Sequence, residues 1–483
     1  MTATEADVSE ARIAHAGVFR KVCPATGQEG LPVVEMSQSD VLSTIRKGRD
    51  AFKNTWARLP PEERAKALNN IADAIEERKE QLAGFDSQEM GKPISAARDE
   101  VNIAAAFFRF YANAIDKVYG DVAPLTPFSH ELHLGVPRGV VAAITPWNFP
   151  LINSALKAAP ALAAGNTVIL KPSPYASAST VLLSQIAEET GLPAGVLAVV
   201  TGSGDISQFL VSQSGIDLVA FTGSTKIGSQ VMASASNNLT PVLLECGGKS
   251  PSIVFADAVT PKNVEQLAQR LAADALWNSG QVCVARNRVY VERPAYDLLT
   301  DALVAACNGF TLGDPNSEAS VLGPLANEQQ FQMVANAMAA ARNSSATIIL
   351  DGLRNRTGES GFYVGPSVIK DAQQQDWVTQ QEIFGPVISV MPFEGNEQAV
   401  HFANDCQYGL AATLYTHDYA RAHQLADLID VGKLTVTTGQ TTGQSAWLAQ
   451  SAEPAKLSGF GVEGGLDGMK SYTRKKLVEF RHS

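Results

Sequence analysis

The sequence predicts an α/β protein with doubly wound parallel sheets. From Arg138 onward, short β-rich runs alternate with amphipathic helical runs, the pattern of parallel strands covered by helices on both faces. The 483 residues are too many for one compact core and suggest two or three units. Two Gly-rich strand-to-helix turns, "TGSGDIS" from Thr201 and "FTGS" from Phe221, fall inside the alternation. Such turns expose free N–H groups and the positive end of a helix, which suits a phosphate.

Taken in order, the first residues, "MTATEADVSEARIAHAG", contain acids and no sustained apolar run, and read as neither secretory signal nor transit peptide. Residues 41–117 are helical in texture; "PPEERAKALNNIADAIEERKEQLAGF" repeats apolar residues every three or four positions and is expected to end at Gly84 as a solvated face. Residues 140–144, 167–170, 196–200, 218–221 and 242–245 read as strands, with a helix over 178–190 stopped by Gly191 and Pro193. A second α/β unit follows, with a helix over 261–277, a strand at 289–291 and alternation through Asp430. Residues 434–465 are rich in Gly and small polar side chains and read as loop near a site or interface.

A formal net charge of −11 argues against nucleic acid or an anionic membrane as partner. The long apolar stretch between Arg138 and Lys157 is broken by Pro146, Asn148 and Pro150, so it reads as buried loop and strand. Cys23, Cys246, Cys283, Cys307 and Cys406 are scattered and form no CxxC pair. That pattern suits a reducing cytoplasm and neither a disulfide framework nor a metal site. His130 and His133 are explained by a surface strand.

The chemistry centres on "LWNSGQVCVARNRVYV", where Cys283 sits in a turn between a helix-like and a strand-like run. A lone cysteine is ordinarily a small buried hydrophobe; as a nucleophile it needs a base, an oxyanion donor and a second reactant. Candidates for each are present. Glu245 ends an apolar strand beside Gly247 and Gly248, where desolvation raises a carboxyl pKa towards neutrality. Asn148 lies between Trp147 and Phe149 among prolines, a rigid loop presenting one amide. Lys171 in "VILKPSP" stands at the C-terminal edge of a strand, where open α/β sheets bind ligands, although a solvated lysine reads equally well. Glu382 and Phe384 in "QEIFGP" form an acid-aromatic loop.

Together, Asn148, Lys171, Phe221 to Ser224, Glu245 with its two glycines, Gly280 to Cys283 and Glu382 to Pro386 resemble, in order, the aldehyde dehydrogenase superfamily. The resemblance implies that the Cys283 thiolate attacks an aldehyde, with Asn148 and the Cys283 N–H holding the oxyanion. Hydride then passes to NAD or NADP, and Glu245 activates the water that hydrolyses the thioester. By the same resemblance Lys171, Gly223 and Ser224 bind the adenosine ribose and pyrophosphate. Gln330, Glu382 and Phe384 would contact the nicotinamide half, and Trp147 would also bind the cofactor. CoA-acylating relatives generally lack the glutamate at 245, so hydrolysis is expected.

Where NAD-preferring members often carry a ribose-binding glutamate, this chain has Pro174; Lys171 and Ser173 could then hold a 2′-phosphate, so NADP should be accepted. Cys246 replaces a usual leucine and reads as packing. Thr437 replaces an asparagine, and "AEPAKLSGFG" replaces the usual "PFGG" run. The substrate tunnel should be lined by Phe149, Ile152, Asn153, Leu156, Trp277, Val282 and Val284, which favours an uncharged hydrophobic or aromatic aldehyde. A semialdehyde, an aminoaldehyde met by Phe149, Trp277 and Trp447, and a catalytically silent binding homologue are the alternatives. The resemblance also implies two Rossmann-like domains and a small β oligomerisation element. Residues 1–117 and 138–247 would bind cofactor, 248–450 would be catalytic, and 118–137 with 451–483 would bridge a homodimer or homotetramer.

Overall fold

The structure is a computed structural model that describes residues 17–353, 360–439 and 447–482. The N-terminal leader reading, part of the loop after Thr438 and the Trp447 side chain lie outside the described residues.

An antiparallel ribbon, β1 (Val18–Phe19) and β2 (Val33–Val34), leads into helices α1 (Gln38–Asn54), α2 (Pro61–Glu77), α3 (Lys79–Met90) and α4 (Ile94–Ala112). Ser37 caps α1 by accepting the Asp40 N–H, and Pro61 opens α2 where no intrahelical donor is needed. The expected stop at Gly84 is not observed. Helix α3 runs through it and ends at Gly91, whose φ of 78° closes a helix without a Cβ penalty. Leu82, Ala83 and Met90 are buried on this helix, and their packing outweighs the ~1 kcal/mol propensity cost of one helical glycine.

Next come β3 (Asp121–Val122), β4 (Ser129–Pro137) and β5 (Val140–Thr145), then α5 (Pro150–Ala163), β6 (Thr167–Pro172) and α6 (Ala178–Glu189). They are followed by β7 (Leu197–Val199), α7 (Gly204–Val211), β8 (Leu218–Thr222), α8 (Thr225–Ser236) and β9 (Val242–Glu245). Strands β9, β8, β5, β6 and β7 lie side by side in that order, all parallel. Every residue of β5 and β6 is buried, as expected of strands covered on both faces. The strand order turns back at β5, so a crevice opens at the C-terminal ends of β5 and β8, the usual ligand position of such sheets.

The second sheet uses β10 (Pro251–Val254), β11 (Arg288–Glu292), β12 (Thr347–Leu350), β13 (Ser367–Lys370) and β14 (Val387–Phe393). The short β15 (Tyr408–Gly409) pairs elsewhere, and β16 (Ala411–Tyr415) and β17 (Lys433–Thr437) complete the sheet. Helix α9 (Val264–Leu276) covers it, and only the edge strand β12 runs antiparallel. After β18 (Ala455–Lys456), β19 (Gly459–Phe460) adds antiparallel to β9 of the first sheet. The last strand, β20 (Thr473–Arg481), pairs antiparallel with β4 from end to end, and β3 flanks β4 on the other side. Val122, Phe128, Leu477 and Phe480 are exposed on or beside this small sheet. The fold is thus α/β with mixed, mostly parallel sheets. Among the described residues no helix is long and apolar enough to cross a membrane.

Candidate active site

The loop after β5 carries Trp147, Asn148 and Phe149, and Pro150 starts α5 at once. Asn148 is buried; its Nδ2 donates to the Gln281 carbonyl at 2.9 Å, and its own carbonyl accepts from Asn278 Nδ2 at 3.0 Å. The first sheet is therefore stitched to the segment that presents Cys283. That segment is bent sharply: Asn278, Ser279 and Gly280 all have positive φ (50°, 57° and 74°). A non-glycine residue in this region costs roughly 1–2 kcal/mol. Side chains hold the bend: Ser279 Oγ donates to the Gly323 carbonyl at 2.8 Å, and Gln281 Oε1 accepts the Ala326 N–H at 2.9 Å.

Glu245, the last residue of β9, sits between Thr222 of β8 and Gly459 of β19. Burial first, then repulsion from Glu463 and Glu453, pushes its carboxyl well above the ordinary value, while Lys157 pulls the other way. Lys157 Nζ is paired with Glu463 at 2.7 Å. The partly buried Cys283 thiol is pushed up to about 12 by burial, then by Glu382, Glu245 and Glu463, with the Val284 N–H opposing. A thiol in such surroundings is a nucleophile only where a neighbour removes its proton. Burial also pushes the Glu382 carboxyl up to about 7, against the Gly248 N–H at 3.1 Å and Lys249. A Cβ on Gly247 would overlap the Glu382 carboxylate, and one on Gly248 would fall 2.5 Å from the Cys283 carbonyl. The paired glycines thus admit both the acid loop and the cysteine loop.

The crevice beside these groups fits a dinucleotide. The hydroxyls of Thr145 and Thr222, at the ends of β5 and β8, are buried without a partner. Ser224 caps α8, leaving an exposed helix start in front of Gly223. Lys171 is buried, not solvated; its Nζ donates to the Pro172 carbonyl at 3.0 Å, and burial lowers its pKa to about 8 despite Glu35. The Ser173 hydroxyl accepts the Tyr175 N–H at 3.4 Å. Phe384, with φ of 57°, packs edge-on against Trp147 at 5.5 Å. The Gln330 amide donates to the Ile383 and Phe384 carbonyls, at 2.6 Å and 2.8 Å, and so shapes the acid-aromatic loop.

Of the tunnel residues, Phe149, Ile152 and Val282 are buried and Leu156 and Val284 pack against the same core. Trp277 is 47% exposed and meets Phe149 at 4.8 Å. Asn153 turns its amide back onto the Phe149 carbonyl at 2.9 Å. Cys246 is buried, and its Sγ lies 2.6 Å from where a Cβ on Gly228 of α8 would be, in keeping with a packing role. Thr437 ends β17 with its hydroxyl buried and unpartnered.

Sequence reasoning missed three groups here. One is the Lys157–Glu463 pair, and another is the Asn278 amide. The third is a buried cluster under Phe149. Lys92 pairs with Glu100, whose Oε1 also accepts the N–H groups of Leu151 and Ile152 at 3.1 Å and 3.0 Å. Lys92 Nζ lies 4.1 Å above the Phe149 ring.

Comparison with known proteins shows the family. The aldehyde dehydrogenase family matches residues 13–478. The chain is 37% identical over 466 residues to the NADP/NAD-dependent aldehyde dehydrogenase PuuC of Escherichia coli (strain K12), covering 95% of this chain and 92% of that protein. The solved structure of the aldehyde dehydrogenase KauB from Pseudomonas aeruginosa superposes with a TM-score of 0.92 at 35% identity, covering all of both chains (100% each). The P. syringae indole-3-acetaldehyde dehydrogenase AldA, solved with NAD+ and IAA, gives 0.92 at 33% identity, covering 100% of this chain and 95% of that one. The chain belongs to the aldehyde dehydrogenase family, a family of NAD(P)-dependent oxidoreductases.

Proposed function

We propose that the enzyme oxidises an uncharged hydrophobic or aromatic aldehyde to its carboxylic acid, with Cys283 as nucleophile and Glu245 as base. The observation that carries this reading is the meeting of three parts: the Cys283 loop, the Asn148 amide bonded into it, and Glu245 within electrostatic reach. Glu245 takes the thiol proton, its affinity for a proton being raised by burial. The thiolate adds to the aldehyde carbon to give a thiohemiacetal. Its oxyanion is met by the second N–H of the Asn148 amide and by the Cys283 backbone N–H. Lys171, Ser224, Glu382 and Phe384 would hold NAD(P)+, which would supply the hydride acceptor for the oxidation. Glu245 then takes a proton from the water that releases the acid, while Lys157 and Glu463 tune its charge.

Phe149, Ile152, Leu156, Trp277, Val282 and Val284 favour an apolar substrate. The Phe149–Trp277 pair, with Glu453 and Glu463 close to Glu245, supports a cationic aldehyde as second reading. Neither favours a carboxylate-bearing semialdehyde, and residues 440–446, "QTTGQSA", contain no charge to pair one. The assay is reduced-nicotinamide formation with aromatic, medium-chain, amino and succinic aldehydes. Turnover of the succinic substrate alone would overturn the substrate reading. We also infer assembly through the apolar side of the β4–β20 sheet into a dimer or tetramer, which light scattering of the purified protein measures.

A further inference from the structure

We propose that Glu35, on the N-terminal ribbon, is the residue that sets the choice between NAD and NADP; this rests on the coenzyme reading of the crevice. The ribbon docks on the turn between β7 and α7: Met36 N–H donates to the Thr201 carbonyl at 3.0 Å, and Thr201 Oγ1 donates to the Val34 carbonyl at 2.7 Å. Between these two anchors the Glu35 side chain turns inward. Its Oε1 accepts the N–H of Ser203, the N-cap of α7, at 2.5 Å. Strand β7 lies beside β6, with Val200 N–H donating to the Leu170 carbonyl at 2.8 Å, so this corner adjoins Lys171. Glu35 is close enough to Lys171 to oppose the fall in its pKa.

Two consequences follow from the chemistry. The free N–H at the start of α7, which would attract a phosphate, is already taken by a carboxylate. A ribose diol donates two O–H groups and needs an acceptor beside it; Lys171 can only donate, and Glu35 can accept. A 2′-phosphate carries about −1.5 to −2 charges near neutral pH and would face the same carboxylate. The lack of an acid at Pro174 therefore does not leave the corner without one, because Glu35 reaches it from a different part of the chain. Gly17 stands where a Cβ would fall 2.6 Å from Glu35 Oε2, so the ribbon leaves room for this rotamer.

The test is calorimetric binding of 5′-AMP, 2′,5′-ADP, NAD and NADP to the full chain and to its Glu35→Gln and Glu35→Ala variants. Glutamine keeps an oxygen for the Ser203 N–H and removes only the charge. The expected result is wild-type preference for 5′-AMP and NAD, with the ratio moving towards 2′,5′-ADP and NADP by about tenfold or more in both variants. An unchanged ratio in both, or wild-type binding that favours 2′,5′-ADP, overturns the role of Glu35. Failure of wild type to bind any of the four overturns the coenzyme reading itself. The steady-state ratio of kcat/KM for the two coenzymes should move in parallel.

Discussion

Replacing Glu100 tests how the Asn148 loop is held. Its side chain is 0% exposed and that of its partner Lys92 is 1% exposed. Glu100→Gln removes the charge but keeps an oxygen for the Leu151 and Ile152 N–H groups at the start of α5. Breaking a buried ion pair from one side costs about 3–5 kcal/mol. Glu100→Ala also orphans the two N–H groups, adding about 1–3 kcal/mol for each. Asp86 softens the first figure: fully buried, it is pushed well above the ordinary carboxyl range by burial and then by Glu100, with Lys92 opposing. Once Glu100 is neutral, Asp86 can ionise and pair with Lys92. At roughly 1–2 °C per kcal/mol for a chain of this length, calorimetry should show Glu100→Gln melting about 3–10 °C low, and Glu100→Ala lower still. Adding Lys92→Met to Glu100→Gln removes both charges and should recover most of the loss. Turnover should not recover equally, because Lys92 also covers the Phe149 ring beside Asn148, and a displacement of about 1 Å there costs ~10²-fold in rate. A melting point within about 2 °C of wild type in Glu100→Gln, or a double variant as unstable as the single one, would refute the reasoning.

Cys283→Ala should abolish dehydrogenase activity while coenzyme affinity stays within a few-fold; calorimetry and turnover together check this. Glu245→Gln should slow thioester hydrolysis more than the first hydride transfer, so a stopped-flow burst of reduced nicotinamide should precede a slow steady state; a linear trace at the wild-type rate counts against Glu245. Because the Glu245 carboxyl is raised, its base form is lost as pH falls through that raised value, and kcat should show an acid limb there. Glu463→Gln removes a repulsive charge and should move the limb to lower pH, whereas Lys157→Met should move it higher. Movement of both limbs in one direction would contradict the assignment.

The strands of the first sheet could be read from sequence because full burial makes each a short apolar run: β5 and β9 fall within one residue of the expected 140–144 and 242–245. The glycines of the quoted motifs have a different physical reason, since Gly223, Gly247, Gly248, Gly280 and Gly385 each answer to a close approach, as Gly247 does to Glu382. Partnerships across long chain separations were not. Lys157 and Glu463 meet across 306 positions, and neither has a local pattern that names the other. The helical region was read as a solvated face because periodicity reports the apolar stripe and is silent on charges such as Lys92 and Glu100 that pair inside it. Glu35 left no signal at all, since a ribbon of two-residue strands has too few residues to show alternation. The left-handed bend at Asn278 and Ser279 is imposed by tertiary hydrogen bonds and not by residue type.

The strand that ends in Glu245 acquires its outer neighbour, Gly459–Phe460, only from the far end of the chain. There the Cys246 N–H donates to the Ser458 carbonyl at 2.8 Å, and Ser458 Oγ donates to the Gly247 carbonyl at 2.7 Å. During synthesis, β5 to β9 can collapse long before this closure arrives, since parallel units fold from nearby segments and distant pairings come late. A nascent chain can thus carry Cys283 and Glu245 through the translation of β11 to β17 before Gly459–Phe460 arrives to flank β9. The outer edge of the Glu245 strand is thus closed only after the strands of the second sheet have been made.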